Sequence, residues 1–149
     1  MRAVKQILIA TVIGVSLSAC SDNASTPLDA DIESKLNQMS VSETFDYLED
    51  QTLEVTDILK TVTDENTAKA AIKDLQAQGP KLMAALKSFE TIDESELSIG
   101  VMRKLPALFE SQKGLLEEFS RIQENPEARK IIQDELDKLN LGDLRFDDK

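Results

Sequence analysis

Apolar residues recur at alternating steps of four and three along most of the chain, which is the spacing of one face of an α-helix. Three long series predict helices over about 41–62, about 66–90, and from near Lys104 to Ile122. No stretch shows the strict alternation that is typical of a half-buried strand. The three series are Val41, Phe45, Leu48, Thr52, Val55, Leu59 and Val62; Ala68, Ile72, Leu75, Gly79, Leu82, Leu86 and Phe89; and Val101, Leu105, Leu108, Gln112, Leu115, Phe119 and Ile122.

Capping signals mark the beginnings of two helices. Ser40 and Glu43 have the spacing of a capping box, in which each residue satisfies a backbone amide of the other. The run Asn125-Pro126-Glu127 supplies an N-cap, a first-turn proline and a first-turn acid. It predicts a fourth helix to about residue 140, which Gly142 can end. The apolar positions of this helix are Ala128, Ile131, Ile132, Leu136 and Leu139.

Gly79-Pro80 lies in the middle of the second series, where a proline costs about 3 kcal/mol and kinks a helix. The series keeps its phase across the break, which favours one kinked helix over two shorter ones. The sequence therefore predicts an all-α fold, an up-down antiparallel bundle of about four helices with a kinked second helix. We expect this domain to span residues 32–142, followed by a charged tail at 143–149.

The first and third series align with each other at an offset of about sixty residues. Val41, Phe45 and Leu48 match Val101, Leu105 and Leu108, but Leu75 meets Glu135. One interpretation is a duplicated helical hairpin. The other is that any two amphipathic hairpins with similar turns align in this way, and the sequence alone favours this second interpretation.

Residues 1–19 have the layout of a secretory signal peptide. Arg2 and Lys5 precede a short apolar run from Ile7 to Leu17, and the run is too short to cross a bilayer as a helix. An apolar run of this kind, ending in small residues, predicts a segment that is removed on export.

Leu17-Ser18-Ala19-Cys20 ends this segment and resembles the lipobox of bacterial lipoproteins. The resemblance implies a diacylglyceryl group on the Cys20 thiol, cleavage before Cys20 by signal peptidase II, and acylation of the new amino terminus. Three acyl chains would anchor the protein stably, because a single chain holds only marginally. Residues 20–31 would be the lipidated cysteine and a flexible tether. Since Ser21, rather than aspartate, follows the cysteine, we expect the periplasmic face of the outer membrane, with the inner membrane as the alternative.

The composition excludes several kinds of chemistry. The chain has no histidine, and its one cysteine is the one expected to carry lipid, so a serine–histidine–acid triad, a zinc site and a disulfide are not expected. The formal net charge is −11, and it becomes −13 without residues 1–19, whose charged residues are Arg2 and Lys5. Such a surface repels nucleic acid. Among the acids, Glu135 comes closest to an apolar series, and the adjacent acid pairs fit a solvated face. We expect no enzymatic activity and no cofactor.

The absence of catalytic side chains, the tether and the acidic surface lead to our first hypothesis, a non-enzymatic module for protein interaction or envelope structure with a basic or helical protein partner. The alternative is a carrier of a small apolar ligand, a lipid or fatty acid, within or beside the bundle. It rests on the third series, which is broader than a narrow apolar face, and on the short fourth helix. The residues that would form the partner or ligand face are Met102, Leu105, Phe109, Leu116 and Phe119.

Overall fold

The computed structural model describes residues 30–139. The expected signal peptide, the lipobox with Cys20, most of the tether and the charged tail lie outside these residues.

Six helices and one 3₁₀ turn account for most of the described chain, which contains no strand. The helices are α1 (Ala30–Leu36), α2 (Val41–Lys60), α3 (Glu65–Thr91), α4 (Ile99–Met102), α5 (Leu105–Gln123) and α6 (Pro126–Lys138), and the 3₁₀ turn is Glu94–Glu96. The prediction of an all-α helical bundle is confirmed. Over residues 30–139, no helix is both long and apolar enough to cross a membrane.

The predicted caps form. The Ser40 backbone N–H donates to Glu43 Oε2 at 2.8 Å, and the Glu43 N–H donates to Ser40 Oγ at 3.3 Å, which is the capping box at the start of α2. Asn125 Oδ1 accepts from the Ala128 N–H at 3.1 Å at the start of α6. The two strongest start signals in the sequence therefore mark true helix starts.

The second series forms one continuous helix, α3, with Pro80 inside it. Leu75 and Leu82 flank the proline on the same side of the helix, and each is at most 2% exposed. Burying a leucine is worth about 1.5–3 kcal/mol, so burial on both sides of the break offsets the cost of proline.

The third series begins with a short separate helix. α4 ends at Met102, and α5 begins at Leu105 with Pro106 in its first turn. Arg103 and Lys104 between them keep right-handed helical backbone angles. The chain therefore follows an almost continuous helical path, and side chains of α4 stay close to the register of α5.

The helices form two hairpins, α2–α3 and α5–α6. The Phe45 ring near the start of α2 packs edge-on against the Phe89 ring near the end of α3, with centroids 5.0 Å apart, so these two helices are antiparallel. Between the hairpins, α2 packs against α5 and α3 packs against α6. The core lies between these four helices and is built from the apolar series.

Hydrogen bonds between the hairpins show that α2 and α5 run in the same direction. Lys104 at the start of α5 contacts Asp46 near the start of α2, and Arg121 near the end of α5 donates to carbonyls at the end of α2. The Gln76 amide donates to Glu135 Oε1 in the α3–α6 pair. These partners are 58 to 62 residues apart. The second hairpin is thus stacked beside the first in the same orientation, and the neighbours α2 and α5 are parallel rather than antiparallel.

The short helix α1 packs against α3 and contacts α2. Leu36 is 5% exposed, and the Lys35 ammonium lies 5.0 Å from the centre of the Tyr47 ring on α2. The apolar side chain of Leu36 thus adds α1 to the first hairpin.

Candidate interaction face

Three apolar side chains lie seven residues apart on the outer side of the second hairpin. We call Met102, Phe109 and Leu116 the apolar stripe. Met102 is 41% exposed and Leu116 is 38% exposed, whereas Phe109 is partly buried against the core. A step of seven residues is nearly two helical turns, so the three side chains form one row along α4 and α5.

The five residues expected to form a partner or ligand face divide into two groups. Leu105 is 9% exposed and Phe119 is 5% exposed, and both belong to the core between the hairpins. The other three are the apolar stripe. Sequence periodicity did not separate the groups, because both fall within the broad apolar side of one helix.

The apolar stripe has equivalents on α2, sixty residues earlier, and one of these equivalents lies against α5. Sixty residues before the stripe lie Ser42, Glu49 and Thr56. The Lys104 ammonium donates to the Ser42 carbonyl at 3.4 Å, and the Thr56 methyl lies 3.8 Å from where a Cβ on Gly114 would be. Thr56, which is 2% exposed, therefore lies against α5, and Leu116 is its equivalent on α5.

The residues beside the stripe differ in character on its two sides. On the solvent side, the residues four positions after each stripe residue form a neighbouring row that contains no acid. This row is Pro106, Lys113 and Ser120. On the core side, Gln112 is 4% exposed, and its Oε1 has no hydrogen-bond partner within the described residues.

The exposed side of α2, in contrast to the row beside the stripe, is acidic. Two of its acids are paired, Asp46 with Lys104 at 2.5 Å and Asp57 with Lys60 at 2.7 Å. Leu53 is 42% exposed and is the large apolar residue among these acids. The acids are Glu43, Asp46, Asp50, Glu54 and Asp57.

Adjacent acid pairs serve local structure. Asp64 is the N-cap of α3, and hydrogen bonds from the Thr67 backbone N–H and then the Thr67 side chain lower the pKa of its carboxyl. Glu117 lies 3.8 Å from the Lys113 ammonium, and Glu118 lies 2.7 Å from the Arg121 guanidinium. Within residues 30–139, no three acidic or sulfur side chains converge as a metal site would require.

Glu135 is buried, with 3% exposure. Its Oε1 accepts from the Gln76 amide at 2.8 Å, and its Oε2 accepts from the Lys138 ammonium at 3.1 Å. Both oxygens are thus paired, and the residue joins α6 to α3. This arrangement gives the acid a structural role. Its equivalent in the first hairpin, sixty residues earlier, is Leu75.

A cleft of about 300 Å³ lies between α1 and the end of α3. Its lining mixes polar and apolar surface, and Glu33 and Lys87 place opposite charges in it. The lining residues are Glu33, Leu36, Asn37, Ala84, Lys87, Ser88 and Thr91.

Comparison with known proteins adds no family to these observations. No protein-family model, no curated protein and no solved structure matches the chain.

Proposed function

We propose that this protein is a lipid-anchored, non-enzymatic protein-interaction module of the bacterial cell envelope. The anchor is the lipid on Cys20, and the resemblance of Leu17-Ser18-Ala19-Cys20 to a lipobox supports it. The tether after Cys20 lets the helical domain reach a partner while the acyl chains stay in the bilayer. The proposed location is the periplasmic face of the outer membrane.

The observation that carries the interaction role is the exposed apolar stripe. Met102 and Leu116 expose about two-fifths of their surface, and Thr56, the equivalent of Leu116 in the first hairpin, is covered by α5. Apolar rows of this spacing are the usual contact of one helix with another. The proposed partner therefore presents a helix to the stripe.

The structure gives no specific support to a carrier of apolar ligands. The broad apolar side of α5 is largely filled, because Leu108 and Leu115 are at most 3% exposed and pack in the core. The cleft beside α1 has the charged groups of Glu33 and Lys87 in its lining, which suit an apolar ligand poorly. The interaction module is for this reason the better proposal.

Metabolic labelling with palmitate tests the anchor. The unchanged chain and a Ser25→Ala variant should incorporate label and sediment with membranes, whereas Cys20→Ala should do neither. Ser25→Ala is the matched control, because it changes the proposed tether and leaves the lipobox intact. Equal labelling of Cys20→Ala would refute the anchor.

Photocrosslinking in intact cells tests the interaction role. A photoreactive amino acid replaces Met102, Leu116 or, as the control of matched exposure, Leu53. The first two positions should give the same discrete crosslinked species, and Leu53 should not. Identical patterns at all three positions would show that the stripe is not a specific contact.

A further inference from the structure

We infer that α1 is a releasable strap: it detaches from the first hairpin while the rest of the bundle stays folded, and its release lengthens the connection between the lipid on Cys20 and the bundle. The release itself is independent of the proposed lipid anchor, whereas the change in length rests on that anchor.

The contact between α1 and α3 is separate from the core of the bundle. Leu36 is 5% exposed and Ala84 is 4% exposed, and both line the cleft between the two helices. Neither residue belongs to the apolar cluster that α2, α3, α5 and α6 share. Detachment of α1 therefore uncovers Leu36 and Ala84 and leaves the contacts of the core in place.

Few contacts hold α1 against the hairpin. Between residues 31 and 37 the buried side chain is Leu36, and its neighbours are exposed or half-buried. The Lys35 ammonium lies 5.0 Å from the centre of the Tyr47 ring, a contact that contributes little at an exposed site. A helix of seven residues is too short to be stable in water by itself, so α1 is helical only while it is docked.

The junction between α1 and α2 allows release without unwinding α2. The backbone N–H groups of residues 37–39 donate to carbonyls of residues 33–36, so these hydrogen bonds stay within the α1 segment. α2 then begins with the capping box of Ser40 and Glu43. Since this box satisfies amides of the first turn, α2 does not need α1 to complete its start.

Release changes the distance that the bundle can reach from the membrane. With α1 docked, the connection runs from position 20 to position 30, and with α1 released it runs from position 20 to position 40. An extended chain spans at most about 3.5 Å per residue, so the maximum reach rises from about 35 Å to about 70 Å. The strap thus gives one chain a short and a long connection to its anchor.

Hydrogen exchange of the full chain, followed by mass spectrometry, tests the release. The amides of residues 34–39 should exchange at least about tenfold faster than those in the middle of α3, because α1 opens without the bundle. Leu36→Ala should accelerate them roughly another tenfold and leave α2 and α3 unchanged, since it removes most of the buried contact. The matched control is Leu53→Ala, the same change at a side chain that is 42% exposed, and it should leave α1 exchange unaltered.

Three exchange results would overturn the strap. Equal rates in α1 and the middle of α3 would mean that α1 opens only with the whole bundle. Faster exchange throughout the bundle in Leu36→Ala would mean that Leu36 belongs to the core. Complete exchange of α1 at the earliest time in the unchanged chain would mean that the helix is not docked.

Neutron reflectometry of the lipidated chain in a supported bilayer tests the change in length. The helical domain of Leu36→Ala should lie farther from the bilayer than that of Leu53→Ala, and equal distances would overturn this part of the inference. Cys20→Ala in solution should show the same exchange in α1 as the lipidated chain. A chain that carries no lipid would refute the proposed anchor and the change in reach, while faster exchange in Leu36→Ala would still support the release.

Discussion

Arg121 is the side chain that most directly joins the two hairpins, and its removal gives a sharp test of the stacked arrangement. Its Nη1 donates to the Val62 carbonyl at 2.6 Å, and its Nη2 donates to the Leu59 carbonyl at 2.8 Å. Leu59 lies in the last turn of α2 and its carbonyl also accepts from the Val62 N–H, whereas Val62 follows the end of the helix. Its Nε also donates to Glu118 on α5 at 2.7 Å. Arg121→Ala removes all three bonds.

The expected loss follows from this geometry. A hydrogen bond from a charged group contributes about 1.5–3 kcal/mol when it is shielded from water. The Arg121 side chain is 39% exposed, so water compensates for much of each lost bond. Glu118, whose side chain is 17% exposed, would lose its cation. We therefore expect Arg121→Ala to lower the free energy of unfolding by about 2 kcal/mol in total.

Urea unfolding followed by circular dichroism measures this loss. The matched control is Arg103→Ala, which removes the same charge from an exposed arginine at the end of α4. Arg121→Lys should fall between the unchanged chain and Arg121→Ala, because an ammonium cannot reproduce the fork of the guanidinium. Equal effects of Arg103→Ala and Arg121→Ala would mean that net charge, rather than the bonds to α2, sets the stability, and would refute the argument.

Three other changes have defined outcomes. Gly114→Ala should raise the free energy of unfolding by about 0.5–1 kcal/mol in a urea titration, because the added Cβ only reaches ordinary contact with Thr56 at 3.8 Å; a loss would show that the α2–α5 contact has no room. Glu135→Leu, which copies Leu75 of the first hairpin, should keep or raise the melting temperature, since well-packed apolar groups often replace buried ion pairs at no cost, whereas Glu135→Ala should lower it. The pKa of Asp64 is lowered in the folded protein, so its contribution is present above the pKa of the unfolded chain and is lost as the pH falls through the folded pKa. Asp64→Asn keeps a capping oxygen, so its melting temperature should fall less on acidification than that of the unchanged chain. An equal fall in the two proteins would contradict this.

Much of the fold could be predicted from the sequence, because it is set by local signals. Helical spacing located the helices, and the Ser40 and Asn125 caps located two of their starts. The continuity of α3 through Pro80 was favoured but left open, since it depends on whether Leu75 and Leu82 are buried on the same side. Burial of both residues depends on tertiary packing, which the spacing of apolar residues does not reveal.

The stacking of the hairpins and the accessible part of α5 were harder to predict. The offset of about sixty residues was visible in the sequence. The same offset is expected whether the two hairpins stack through a parallel α2–α5 contact or resemble each other by chance. Leu105 and Phe119 could not be told from Met102 and Leu116, because all four lie on one wide apolar side and only the positions of neighbouring helices separate them. Arg121 gave no signal at all, as its acceptors are backbone carbonyls fifty-nine and sixty-two residues away.

The threonines of α2 have a consequence for the order of folding. Thr52 Oγ1 donates to the Leu48 carbonyl and Thr56 Oγ1 donates to the Thr52 carbonyl, each at 2.7 Å, so these buried hydroxyls need nothing from α5. The first hairpin is synthesised before the second, and these two hydroxyls are already satisfied at that stage. The apolar positions of α2 and α3 that form the core with α5 and α6 are covered only when the second hairpin arrives. A nascent chain paused after α3 would therefore offer an apolar surface to chaperones, and burial of that surface, rather than pairing of the threonine hydroxyls, drives docking of the second hairpin.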